Sequence, residues 1–491
     1  MSRSIATRRV REAHDPAHRA ARSLAWLPFA LGACAAPEHR EPSFDAVAGA
    51  VEVRADDSTE LERALELAEL APLSLAEPDP ALRSDPSHDA FWHASALAWN
   101  AGVREARRRF LGARALVDSA GEPQPIGVQA DSIAGDGERE SELKATLDVL
   151  GLFGLGPARA AKALASQEAR LAFAEYETRV FNAWIDVDRA RVELGAKRRL
   201  LAALDALAAE QEPLARRREI LAGAGFVPPS TTDLARTAET MLTTERSNMR
   251  AEVALAREAL ALAAGLPIDA QALDASNEGL LDVLNEAEPV DAPAAAELWD
   301  ARPEVRAMRV RCALAEAKLD TVLAERFPDL RVGIKSMFTP ETVLAGPMVE
   351  AAIAWPGARD GRIEAAHQEC EEMREAVEAE LLAARARART AADVWGELRR
   401  LHHAELERLD RESRAGWTAA RARFLNDPEA LEDAAGMLGE RAKALRMVHE
   451  HDGALALAVL EFRRAAGAPR ARAANDAEAE RELRIEREVQ P

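Results

Sequence analysis

Large aromatic rings are scarce in this chain. Among 491 residues there are one tyrosine, twelve phenylalanines and eight tryptophans, thin stock for the cores of two or three ordinary globular domains. Cysteine is scarcer still: Cys34, Cys312 and Cys370 indicate no disulfide framework, and the last two fall at apolar positions of helical patterns, where a free thiol behaves as a small hydrophobe. Basic excess is also missing. Lys and Arg number 64 against 84 Asp and Glu, a net charge of −20, which argues against a nucleic-acid partner. No apolar run reaches the length that a membrane-spanning helix needs.

Catalytic order is absent too. No Ser/His/Asp arrangement and no glycine-rich phosphate loop stands out, so an enzyme is the weakest class and no cofactor is implied. The stretch "HEHD" at residues 449–452 invites a metal reading. On a helix, however, residues two apart point about 200° apart, so His449 and His451 do not share a face; the expectation is a solvated helix face and no metal. His402 and His403 are adjacent and no better placed.

What is present is alanine, glutamate, arginine and leucine at helical spacing, the composition of long packed helices. Before them, Arg3, Arg8, Arg9, Arg11, Arg19 and Arg22 precede a short apolar run at residues 24–33 and then Cys34. This reads as a signal peptide over residues 1–33. "LGAC" resembles a bacterial lipobox, in which Cys34 is acylated and anchors residues 34–88 to a membrane surface; the alternative is a generic signal with an accidental cysteine.

The rest repeats. "NAGVREARRRFLGARALVD" from Asn100 is shadowed by "RPEVRAMRVRCALAEAKLD" from Arg302, with Val103 on Val305 at a shift of 202. The same shift, within two residues, carries Pro125 near Pro328, "GPAR" near "PGAR", and "AAGLP" onto "AAGAP". Two copies follow, residues 89–267 and 299–469, joined by an acidic linker at 268–298 and trailed by a charged tail at 470–491. In copy two Val305, Met308, Cys312, Ala315, Leu319 and Val322 step by threes and fours, a coiled-coil seam. Alternation of period two then predicts strands at about 125–134, 143–152, 329–338 and 347–356, each long enough to cross a bilayer when tilted. Helical hairpins are expected at 158–265 and 359–467. Phe173, Val180, Val187, Leu194 and Leu201 recur every seven residues along the first, with a kink predicted at Pro213. The hairpins turn at tips containing Gly225, Phe226 and Val227, and Asn426, Asp427 and Pro428. Phe226 and Val227 read as exposed apolar contacts.

The ordered set "ARPEVRAMRVRCALAEAKLDTVLAERFPDLRVG", "AAIAWPGARDGRIEAAHQECEEMREAVEAE", "ALALAAGLP" and "EFRRAAGAP" resembles the TolC family of outer-membrane efflux proteins, in particular its lipoprotein branch. The resemblance implies a homotrimer whose helices form a periplasmic tube and whose four strands per chain close a twelve-strand outer-membrane barrel. It also implies a periplasmic adaptor and an inner-membrane pump as partners. Closure agrees with physics, since open strand edges are not tolerated in lipid. Phe327 and Pro328 would mark the join of tube and barrel, with Phe338 and Trp355 near headgroup level. Two points depart from the family: copy one lacks the usual Asn-Pro pair at residues 100–103, and Tyr176, the only tyrosine, rules out a tyrosine-based gate. Asp427, Glu432 and Asp433 either form a charge ring at the tube entrance, as in cation-selective pores, or simply favour a helix N-terminus. Two functions remain open, an export duct and a lipid-anchored periplasmic coiled-coil scaffold without a pore. Strands at matching places in both copies favour the duct.

Overall fold

The computed structural model describes residues 86, 88–120, 127–135, 138–148, 157–274, 278–325, 329–339, 342–352 and 360–467. Cys34, the signal peptide, the charged tail, Pro125, Phe327, Pro328 and Trp355 lie outside them. In chain order the elements are α1 Asp89–Trp99, α2 Ala101–Ser119, β1 Gly127–Gly135, β2 Glu138–Asp148, α3 Pro157–Gly223 and α4 Pro229–Ala264. After a short 3-10 turn come α5 Glu278–Glu286, α6 Ala295–Ala301, α7 Pro303–Ala324, β3 Asp329–Phe338, β4 Val343–Ala352 and α8 Asp360–Leu401. A π-turn at His402–Leu406 leads into α9 Glu407–Asn426, a 3-10 turn at Pro428–Ala430, and α10 Leu431–Ala466. The molecule is thus mostly helical with one small sheet.

The central element is α3. It has 67 residues and, at about 1.5 Å per residue, is about 100 Å long. It packs against α2, α4, α7 and α10. Its predicted seam is buried where those neighbours converge: Val180, Val187 and Leu194 are all 0 % exposed. α4 answers with its own seven-residue row, Ala235, Leu242, Met249 and Ala256, also buried. The kink predicted at Pro213 does not interrupt α3, which stays helical through that residue. The break falls in copy two, where α8, the π-turn and α9 cover 42, 5 and 20 residues and together match the length of α3.

Each copy is pinned at its ends by one glycine. Gly265 and Gly467 close α4 and α10 in the left-handed conformation, each with φ of 73°. A Cβ on Gly265 would sit 2.5 Å from the carbonyl carbon of Trp99, and one on Gly467 2.7 Å from that of Ala301. The end of each return helix therefore abuts the start of its own copy. There Asn100 caps α2: its Oδ1 accepts from the amides of Gly102 and Val103 at 3.0 and 3.3 Å, while its Nδ2 donates to the Ala263 carbonyl at 3.0 Å. In copy two Pro303 occupies the first turn of α7 instead.

Candidate functional site

Two regions are candidates, the sheet and the hairpin tips. The sheet is an antiparallel meander in the order β1-β2-β3-β4, so that the strands of the two copies meet at β2 and β3. Because cross-strand partners share a face, the register sorts the sequence into two surfaces. Leu143 lies opposite Ser336, Ala145 opposite Ile334, Val332 opposite Val349, Ile334 opposite Pro347, and Phe338 opposite Val343. On the other face Lys144 lies opposite Lys335, Thr146 opposite Gly333, and Arg331 opposite Glu350. Glu142 there takes Lys144 at 3.2 Å and Lys335 at 3.0 Å. Ile334, Val343 and Val349 on the apolar face are 60, 64 and 68 % exposed. A contiguous bare apolar face backed by a charged one needs a cover that the single chain does not supply.

At the first tip the amide of Phe226 donates to the Leu221 carbonyl at 2.9 Å and Gly225 takes φ of 77°, ending α3 in a left-handed turn. Phe226 is 68 % exposed. Val227 is not: it is buried at 6 % in a cluster with Trp417, Phe424 and Leu431 of the other hairpin. The expectation that both residues are exposed is corrected for Val227, because it joins a core cluster built from its own hairpin, with Leu214 and Ala235, and from the other hairpin some two hundred positions away. At the second tip Asp427 Oδ1 accepts the Glu429 amide at 3.0 Å, a helix-start cap, and Asn426 Nδ2 donates to the Ala422 carbonyl at 2.9 Å. Asp427, Glu432 and Asp433 are exposed. An open cleft of about 550 Å³ runs between Arg423, Asn426, Asp427, Glu429 and Asp433. Arg421 turns away from these acids to Glu210 of α3 at 3.5 Å.

Behind the tips lie contacts that the sequence did not single out. Arg218, 3 % exposed, bonds Glu239 across the first hairpin, and Gln211 bonds the same carboxylate. Arg441 bonds Asp410 at 2.7 Å and Ser413 at 2.8 Å across the second. The hairpins are tied to each other by Trp417 Nε1, donating to Glu210 at 2.8 Å, and by Arg446 on Glu245 at 2.6 Å. Spacing reveals none of these pairs, since the partners sit on different helices.

The "HEHD" residues are not a solvated face. His449 and Asp452 are partly buried, and His451 bonds the Leu398 carbonyl. Among the described residues no group of three His, Cys, Asp or Glu side chains is arranged to hold a metal ion, and no helix is long and apolar enough to cross a membrane.

No protein-family model and no curated protein matches the chain. Solved structures do. The outer-membrane channel OprN superposes with a TM-score of 0.62 and 19% identity over 79% of this chain and 91% of that one. The open-state MtrE outer membrane channel of Neisseria gonorrhoeae gives 0.63 and 16%, covering 77% and 88%. The CmeC outer membrane channel of Campylobacter jejuni gives 0.62 and 12%, covering 80% and 88%. At such identities the likeness is one of fold, and the fold is the TolC-like one that these outer-membrane channels share.

Proposed function

We propose that this protein is the outer-membrane duct of a tripartite efflux or type I secretion system. The observation that carries the reading is the two-faced sheet at one end of helices about 100 Å long. Four strands leave two open edges and an uncovered apolar face; three copies would join edge to edge into a twelve-strand barrel, with Leu143, Val332, Ile334, Val343 and Val349 toward lipid and Glu142, Lys144 and Lys335 lining the lumen. The helices would then continue the barrel as a periplasmic tube. Acylation of Cys34 would add a lipid anchor to the same chain.

In this reading the tips face the periplasmic adaptor and the inner-membrane pump. Phe226 is the exposed anchor for adaptor docking, with Gly225 shaping its loop, while Val227 supports it from inside. Asn426, Asp427 and Pro428 present the second docking loop, and Asp427, Glu432 and Asp433 gather at the entrance. The pump selects the cargo, so the duct needs no substrate pocket.

The test is conductance. Purified protein reconstituted in a planar bilayer should open discrete ion-conducting steps and run as a trimer by light scattering. A folded protein that never conducts would establish the scaffold reading instead. Mass spectrometry of membrane-extracted material should show an acylated N-terminal Cys34, and an unmodified N-terminus elsewhere would remove the anchor while leaving the barrel standing.

A further inference from the structure

The π-turn at His402–Leu406 sits where copy two departs from copy one. There the amide of Glu407 donates to the carbonyl of His402, five residues back. Such a turn is wider and less favourable than an α-turn and persists where neighbours hold it. Here the neighbours are on α10. His402 stacks on His451 with ring centroids 5.9 Å apart at 14°. His451 Nε2 lies 2.8 Å from the Leu398 carbonyl, which only accepts, so that nitrogen carries the proton. His402 Nδ1 stands 3.3 Å from Asp452 Oδ1, and His449 Nδ1 stands 3.7 Å from Asp452 Oδ2. Both Nδ1 atoms and Asp452 Oδ1 are buried without a hydrogen-bond partner. Two imidazoles thus flank one carboxylate, close enough to attract and too poorly aligned to bond.

We propose that this cluster makes the π-turn a proton-operated joint: protonating its histidines loosens the hold of α10 on the junction between α8 and α9.

The charge count sets the direction. Protonated, His402 and His449 place two positive charges against Asp452 alone. No neighbouring element supplies spare negative charge. Arg199 of α3 faces His449 and Asp452 and is matched by Asp282 of α5 at 2.7 Å. Arg441 of α10 faces His449 and is matched by Asp410 of α9 at 2.7 Å. Glu407 faces His402 and is matched by His403 at 3.0 Å. Burial lowers the pKa of His402 and of His449 and raises that of Asp452. Since the folded histidines bind protons less readily than unfolded ones, their stabilising contribution is complete above 6.5, the ordinary histidine value, and is lost as pH falls below it. Asp452 acts oppositely. Its raised value contributes stability that is complete below the ordinary 3.8 and is lost as pH rises through the raised value, so the histidine loosening is read on the side nearer 6.5.

Amide hydrogen exchange of the full-length protein in detergent tests this at about pH 7.5 and about pH 5.5, corrected for intrinsic rates. Residues 398–410 should exchange about tenfold more readily at the acid condition, while residues 214–222 at the first tip, which have no histidine, should not. In His402→Gln/His449→Gln the acid response should vanish. Asp452→Asn should deepen it, because without the carboxylate that favours imidazolium the folded histidines bind protons still less readily while the onset at 6.5 is unchanged. An acid response equal at both segments, one surviving in the double variant, or one weakened by Asp452→Asn would each overturn the joint. The readout is independent of conductance, so the proposal stands or falls apart from the duct.

Discussion

The two copies share a plan and differ in how they keep it straight. α3 carries Pro213 and remains one helix; on either side of that proline Leu207 and Leu214 join one buried cluster with Ala235 and Leu242 of α4, Trp417 of α9, and Leu431 and Leu438 of α10. Its counterpart has no proline between Asp360 and Asn426, yet gives way at His402–Leu406. Proline in a helix interior ordinarily kinks or breaks it, yet α3 stays helical through Pro213, while the proline-free counterpart takes a π-turn beside a polar cluster on α10. What a helix packs against outweighs what its own sequence prefers.

The hairpin latches offer the hardest test of equivalence between the copies. Arg218→Met leaves the Glu239 carboxylate with Gln211 and Arg441→Met leaves Asp410 with Arg414, at side-chain exposures of 23 and 25 %, so the two should cost alike, about 1–3 kcal/mol each. Chemical denaturation of both variants in detergent decides it, and unequal losses would mean that the latches are not interchangeable. Next comes the sheet. Ile334→Lys, on the bare apolar face, should cost about 2–4 kcal/mol at mid-membrane depth, whereas Thr146→Lys on the charged face should cost little. Trimer yield reads the difference, and equal yields would reverse the assignment of faces.

Smaller effects follow at the pinned ends. Gly265→Ala and Gly467→Ala each force a left-handed alanine, about 1–2 kcal/mol before any clash with the opposing backbone. The two should be alike in thermal melting. Asn100→Ala removes the cap found only in copy one and should cost about 1 kcal/mol. Least of all in stability is Phe226→Asp, which touches no packed seam and should leave trimer yield unchanged while abolishing export through lost adaptor contact. Wild-type drug resistance in that variant would put docking elsewhere.

Much of the fold could be read from the sequence because its periods are strict. A seven-residue row such as Val180, Val187 and Leu194 has one helical interpretation, and alternation at residues 330–335 has one strand interpretation. The tip was half legible. Phe226 and Val227 look alike in sequence, and a cluster assembled from both hairpins, with Leu214 and Ala235 on one side and Trp417, Phe424 and Leu431 on the other, holds Val227 and leaves Phe226 out. The π-turn was not legible at all. Adjacent histidines failed as a metal motif, and helical geometry kept His449 from His451, but the pairing that matters joins His402 to Asp452, fifty residues apart, through a turn no local rule predicts.

Gly265 and Gly467 have a consequence for how force passes through the molecule. Since each return helix ends against the first turn of its own copy, chain entry and exit coincide, and each copy is a closed circuit. Load applied at a tip passes along both arms toward that anchor and, through Trp417 on Glu210 and Arg446 on Glu245, into the other hairpin, so the two hairpins take it together. The linker that joins the circuits shares that load, since Asp282 of α5 holds Arg199 of α3 at 2.7 Å.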